Sequence, residues 1–330
     1  MLATRLVSTG DIQTVEAPMP EPGPDDILIK VEAAGICGTD RHLFKGEFPS
    51  TPNTILGHEF SGIVVGGDVS KISLGTRVTC DPNHWCGSCD QCRRGRVNLC
   101  PNNIASGIGR DGGFAEYSAF PAVRAHVLPT NIDALHGAFC EPLACTIHGM
   151  DIGAAKPGER VLIIGGGVIG LLAVQLAHLA GSEVMLLTRN AGKQELGRTL
   201  GAHRTAGTEA EALEQWQSGA DLVVECAGVV ATVEMAPRLT RTGGRIVVLG
   251  VLPGGQPVQI EPFDLLFREI QLHFSFVNPF THERAARLIA DGKIAVDPLV
   301  TRTISISEAA AAIASPAPEG EVRAIVVPGS

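Results

Sequence analysis

The sequence predicts an α/β protein built around a doubly wound parallel sheet, and three observations point there. "ERVLIIGGGVIGLLAVQLAHLAG" reads as a buried strand over 160–164, a tight glycine turn and an apolar helix over 168–180. Apolar strands and helices then alternate for about a hundred residues, the pattern of a parallel sheet with helices on its faces. The 330 residues, 45% of them hydrophobic, suffice for about two domains with a sizeable core. Thirty-nine glycines and a single tyrosine fit such a turn-rich chain.

The elements follow in order. After the first strand and helix, "SEVMLLT" is a strand, "KQELGRTLGA" a helix, and "ADLVVECAG" and "GGRIVVLGV" are strands. "IQLHFSFV" (270–277) is the last. Gly165, Gly167 and Gly170 match G-x-G-x-x-G between strand and helix, the context that turns a weak motif into a dinucleotide fingerprint. The glycines permit the turn, the approach of a pyrophosphate and close helix–strand packing. Val168 and Ile169 open the helix, whose free N–H groups and dipole favour an anion. The bland alternative is a glycine turn that binds nothing.

The end of the second strand distinguishes the cofactor. An Asp or Glu there bonds the ribose 2′-OH of NAD. This chain has Thr188 and Arg189 instead, which removes repulsion of a 2′-phosphate and offers a guanidinium to hold it. Lys193 can assist, or be an ordinary solvated helix residue. NADP(H) is therefore expected over NAD(H).

"CDPNHWCGSCDQCRRGRVNLC" contains five cysteines. Cys86, Cys89, Cys92 and Cys100 form C-x2-C-x2-C-x7-C, with Gly87 and Gly95 available for the turns that bring the sulfurs together. Four thiolates complete a tetrahedral zinc and leave no open position, so this site is expected to be structural. An iron–sulfur cluster is the rival metal. Cys80 ends the strand-like "GTRVTC" and reads as packing.

Three shorter stretches carry reactive residues. "GICGTDRH" has Cys37, Thr39, Asp40 and His42; "ILGHEFSG" has His58 and Glu59; "AFCEPLAC" has Cys140, Glu141 and Cys145. Singly each has a structural explanation, and Cys140 and Cys145 read as packing. One thiolate, one imidazole and a carboxylate together form the ligand set of a catalytic zinc with an open position. Their spacing does not show that they meet.

Other classes are disfavoured. The formal charge of −9 opposes nucleic-acid binding, and "RRGR" (93–96) is a short solvated run. "MLATRLVSTGDIQTVE" has no signal-peptide core, and no stretch reaches the eighteen or more apolar residues of a membrane span. A cytoplasmic protein with reduced cysteines, and no membrane or nucleic-acid partner, is expected.

In their order, "GICGTDRH", "GHEFSG", the cysteine loop, "EPLAC" and "GGGVIG" resemble the zinc-containing medium-chain alcohol dehydrogenases, in particular the polyol, sorbitol and threonine branch. The resemblance implies a GroES-like β-rich catalytic domain (1–143 and 280–330) around a Rossmann domain (144–279). It implies that Cys37 and His58 hold catalytic zinc, with Glu59 or Glu141 completing the site, Glu59 either as ligand or as holder of a water. It assigns Cys86, Cys89, Cys92 and Cys100 to structural zinc. Thr39 would take the alcohol proton, His42 would pass it to solvent, and Asp40 would orient the site.

The implied reaction is hydride transfer between NADP(H) and a polyol, sugar alcohol or small secondary alcohol, or the matching carbonyl. A threonine-type dehydrogenase using NAD, a zinc-free carbonyl reductase and a non-catalytic NADP(H)-binding protein are the alternatives. The pocket is expected to draw on "HLFKGEFPST" and "SFVNPF", with Phe44, Phe48 and Phe276 as apolar candidates. A homodimer or homotetramer is expected, pairing through "RIVVLGV" and its neighbours.

Overall fold

Burial with a period of two in the strand Asp26–Gly35 sets out the first unit: Ile27, Ile29 and Val31 face the core while Lys30 faces solvent. The computed structural model describes residues 1–329. They fall into two compact units, the first made of Met1–Pro142, Pro279–Gly292 and the residues from Val300 on.

Its main sheet runs Ala125–Val127, Arg77–Cys80, Glu59–Gly67, Asp26–Gly35, Arg323–Val326, Val300–Ile304, and Tyr117–Pro121 also pairs with Asp26–Gly35. The two C-terminal strands therefore complete a sheet begun near the N-terminus. Phe60 and Phe120 meet edge to face at 5.5 Å in a core that also holds Leu43, Phe114 and Ile304. Such an aromatic pair adds about 0.5–1.5 kcal/mol beyond its buried area. Cys80 is fully buried there, the packing role expected of it.

The second unit, Leu143–Asn278 with Lys293–Leu299, holds a parallel sheet ordered Arg204–Ala206, Glu183–Leu187, Arg160–Ile164, Ala220–Glu225, Thr240–Val248, Gln271–Phe274. The four apolar residues Val161–Ile164 are buried in succession, as expected of a strand covered on both faces. Residues 293–299 belong here because Ala295 exchanges two hydrogen bonds with the Gln175 side chain, at 2.7 and 3.0 Å. Arg204–Ala206 is a strand the sequence reading missed; three residues are too few for a period to register.

One expectation needs correcting. "RIVVLGV" is not a sheet edge, because Thr240–Val248 is hydrogen-bonded on both sides and Ile246 and Val247 are fully buried. The edge on that side is Gln271–Phe274. No helix among the described residues is long and apolar enough to cross a membrane.

Candidate functional site

In the first unit Cys37, His58 and Glu59 converge: one ligand atom from each lies within 4.8 Å of the others. The convergence has local causes. Cys37 is the N-cap of the helix Gly38–Lys45, with extended backbone after the strand Asp26–Gly35. Asp40, three residues on, accepts the Cys37 backbone N–H at 2.8 Å, which fixes where the chain turns into the helix. Gly46, at φ +73°, closes the helix. His58 and Glu59 stand at the start of the strand Glu59–Gly67, the sheet neighbour of Asp26–Gly35.

The site is largely buried and charged. Asp40 is fully buried, Glu59 and His58 nearly so. Asp40 Oδ1 lies 3.5 Å from His58 Nδ1, close enough for an ion pair, although neither atom makes an aligned hydrogen bond. Burial opposes a charge on His58, but the Asp40 carboxylate outweighs it and, with Cys37, holds the imidazole pKa well above its usual value. Burial pushes the Glu59 carboxyl up, against the pull of Arg323 and His58.

Arg323, itself buried, lies with Nη1 2.9 Å from Glu59 Oε2 and donates from Nη2 to Glu59 Oε1 at 3.2 Å. Glu59 Oε2 is close enough for an ion pair, yet receives no aligned hydrogen bond. A buried carboxylate oxygen with a free lone pair, beside a thiol and an imidazole, fits a zinc ion with three protein ligands and an open position. Glu141 is buried but lies outside this set of three.

Thr39 Oγ1 is 3.7 Å from Cys37 Sγ, and His42, one turn further along the helix, pairs through Nδ1 with Glu47 Oε2 at 2.7 Å. Of the apolar pocket candidates, Phe44 and Phe48 pack against the core of the first unit, while Phe276 in the second is 50% exposed.

Cys86, Cys89, Cys92 and Cys100 form a second convergent set. Backbone N–H groups of Cys86, Cys89 and Cys92 point at the sulfurs of Cys100, Cys86 and Cys89, at 3.4, 3.4 and 3.5 Å. Gly87 and Gly95 adopt φ of +72° and +77°, as such turns require. Hydrogen bonds from Ser88 and Cys89 pull the Cys86 thiol down to about 5, whereas burial and the neighbouring Cys89 and Cys100 push Cys92 up to about 12. Four thiolates cannot ionise together without a cation among them, and zinc fits this set.

In the second unit the fingerprint glycines fit their expected purposes. Gly165 has φ +109°, and a β-carbon on Gly170 would lie 1.8 Å from the Gly165 carbonyl oxygen. A β-carbon on Gly167 would meet nothing, so the turn opens on free space where the helix Val168–Leu179 begins. Gly167 offers no side-chain cap, leaving the N–H groups of Val168, Ile169 and Gly170 for an anion. Thr188 and Lys193 flank the turn, 2.9 and 3.1 Å from the ideal β-carbon of Gly166. Arg189 is exposed and has no ion-pair partner among the described residues. A dinucleotide phosphate fits this cradle.

A metal trio, a cysteine clamp and a nucleotide cradle in one chain are the parts of a dehydrogenase, and the relatives agree. Residues 23–130 match the alcohol dehydrogenase GroES-like domain and 168–291 the zinc-binding dehydrogenase domain. The chain belongs to the zinc-binding medium-chain alcohol dehydrogenase family, an oxidoreductase of the alcohol and polyol dehydrogenase type. It is 34% identical over 310 residues to D-arabinitol dehydrogenase 1 of Uromyces fabae, covering 90% of this chain and 88% of the relative. It is 34% identical over 309 residues to D-arabitol-phosphate dehydrogenase of Enterococcus avium, covering 89% and 87%. A zinc-binding dehydrogenase from Sinorhizobium meliloti 1021, solved bound to NADP, superposes with a TM-score of 0.96 at 54% identity, covering 99% of each chain.

Sequence reasoning missed Arg323. Its signal was a lone cation heading the apolar run "RAIVV", a strand that buries its arginine and so needs a partner for it.

Proposed function

We propose that this chain is a zinc-dependent dehydrogenase that interconverts a secondary alcohol of a polyol and the corresponding ketone, using NADP(H) in preference to NAD(H). The observation that carries the proposal is the buried Cys37–His58–Glu59 trio with Asp40 and Arg323 balancing its charges. We assign the metal to Cys37, His58 and Glu59, because Glu141 lies outside the set. When bound, zinc supplies a Lewis acid for the substrate oxygen, and the nicotinamide accepts or returns the hydride.

The chain's own residues do the rest. Asp40 holds His58 and Arg323 holds Glu59 in place. Thr39, in the first turn of the helix, relays the proton, accepting the substrate hydroxyl's as it gives up its own, and half-buried His42, steadied by Glu47, takes the proton up and passes it outward. Cys86, Cys89, Cys92 and Cys100 bind a second, structural zinc. Arg189, with Thr188 and Lys193, receives the 2′-phosphate. The two relatives named for arabinitol and arabitol phosphate support a sugar alcohol.

We also infer a homo-oligomer that pairs along Gln271–Phe274. That edge strand has Phe274 67% exposed, and the helix just before it exposes Phe263, Leu266 and Phe267. Light scattering tests it; a monomer at micromolar concentration would remove the inference.

The main test is zinc per chain in protein purified without chelator, with NADPH and NADH turnover on polyols and ketoses. Two zincs, one lost to chelator together with activity, is the expected result. One zinc and no turnover would overturn the proposal.

A further inference from the structure

Glu225 ends the strand Ala220–Glu225, is fully buried, and has no part in the chemistry above. Its Oε1 accepts three hydrogen bonds, from the N–H of Ala227 (2.8 Å), the N–H of Gly228 (2.9 Å) and the hydroxyl of Thr232 (2.7 Å). Oε2 has no hydrogen-bond partner, and a β-carbon on Gly250 would lie 2.4 Å from it. The Glu225 carbonyl accepts from the N–H groups of Leu249 and Gly250, at 2.8 and 3.0 Å. One residue thus ties together the turns leaving two neighbouring strands. Burial pushes its carboxyl pKa up, while Thr232 and the backbone N–H groups pull it down.

A fully buried carboxylate is a costly way to hold a turn that backbone bonds alone can hold. What this turn touches explains the expense. Ala227 lies against Gly165: a β-carbon there would be 3.0–3.2 Å from Ala227 atoms. The strand Arg160–Ile164 sits between Glu183–Leu187 on one side and Ala220–Glu225 on the other. Such a switch point in strand order is where a dinucleotide lies across the carboxyl ends. With the adenosine phosphate held at Thr188 and Arg189, a dinucleotide lying across the switch point would extend its other half towards Ala227 and Gly228.

We propose that Glu225 is a positioning residue for the nicotinamide–ribose half of the cofactor, holding the Ala227–Gly228 turn as a backbone ledge beside Gly165. This rests on the NADP(H) reading given above.

The test compares NADPH with 2′,5′-ADP, which carries only the adenosine half, by titration calorimetry on E225L, E225Q and T232V, with melting curves alongside. E225L should weaken NADPH at least 10-fold and leave 2′,5′-ADP within 2-fold, because only the ledge is lost. E225Q keeps a carbonyl acceptor for the same three donors and should restore NADPH to within 3-fold of wild type. T232V should weaken NADPH about 3-fold, and it decides the matter if E225L does not fold. Unchanged NADPH affinity, or equal weakening of both ligands, would overturn the proposal. Wild-type protein that binds neither NADPH nor 2′,5′-ADP would remove the NADP(H) reading itself, a failure seen without any variant.

Discussion

Gly35 stands directly opposite Glu59 in the antiparallel register, and a β-carbon on it would come within 2.5 Å of the Glu59 carboxylate. The same position is 3.6 Å from Arg323 Cδ, so the glycine clears the space in which the buried pair forms. Gly35→Ala should therefore drive the carboxylate out of the trio. The expected result is a fall from two zincs per chain to one, with turnover lost and the cysteine-bound zinc retained as an internal control. Two zincs and normal turnover would show that the neighbours give way.

Arg323→Met leaves Glu59 buried without its counter-charge. Breaking a buried pair in this one-sided way typically costs about 3–5 kcal/mol, to be read from urea unfolding near pH 7.5. The double variant Glu59→Gln/Arg323→Met should recover part of that loss. If it recovers none, the arginine acts through packing rather than charge.

For Arg189→Ala, the loss of a charge-assisted bond to phosphate should raise the NADPH KM about 10–100-fold, with NADH nearly unaffected. Equal effects on both nucleotides would mean that Arg189 does not read the 2′-phosphate.

His126 and His282 stack at 5.0 Å in the first unit, and His282 Nε2 bonds Thr79 Oγ1 at 3.2 Å. Burial holds both rings below the usual 6.5; Arg124 further discourages a charge on His126 while Glu283 favours it, and a proton on His126 would discourage one on His282. The unfolded chain then takes up protons first. The stability these rings confer is complete above about pH 6.5 and declines as the pH falls below it. His282→Gln should flatten that decline, measured as the difference in urea midpoint between pH 7.5 and pH 5. An unchanged slope would place the acid sensitivity elsewhere.

The parallel sheet was legible because its inner strands Glu183–Leu187, Arg160–Ile164 and Ala220–Glu225 are runs of buried residues and the glycine turn sits between strand and helix, both local properties. The cysteine clamp was equally legible, since its four ligands lie within fifteen residues. The trio was legible only through the family resemblance, because Cys37 and His58 meet through sheet pairing that no spacing encodes. "RIVVLGV" misled for a related reason: its apolarity marks an interior strand, whereas the true edge, "QLHF", is short and mixed. Glu225 gave a faint signal, an acid closing the apolar run "ADLVV", but nothing in sequence reveals the three donors around it.

The pairing of Glu59 with Arg323 spans 264 residues. At a synthesis rate of about 5–20 residues per second, the carboxylate emerges roughly 13–53 s before the guanidinium that balances it. During that interval the N-terminal part of the sheet has no way to bury Glu59 unaccompanied. Completion of the pocket thus waits on a strand made 264 residues after Glu59, and a chain lacking Arg323–Val326 leaves the carboxylate without its counter-charge.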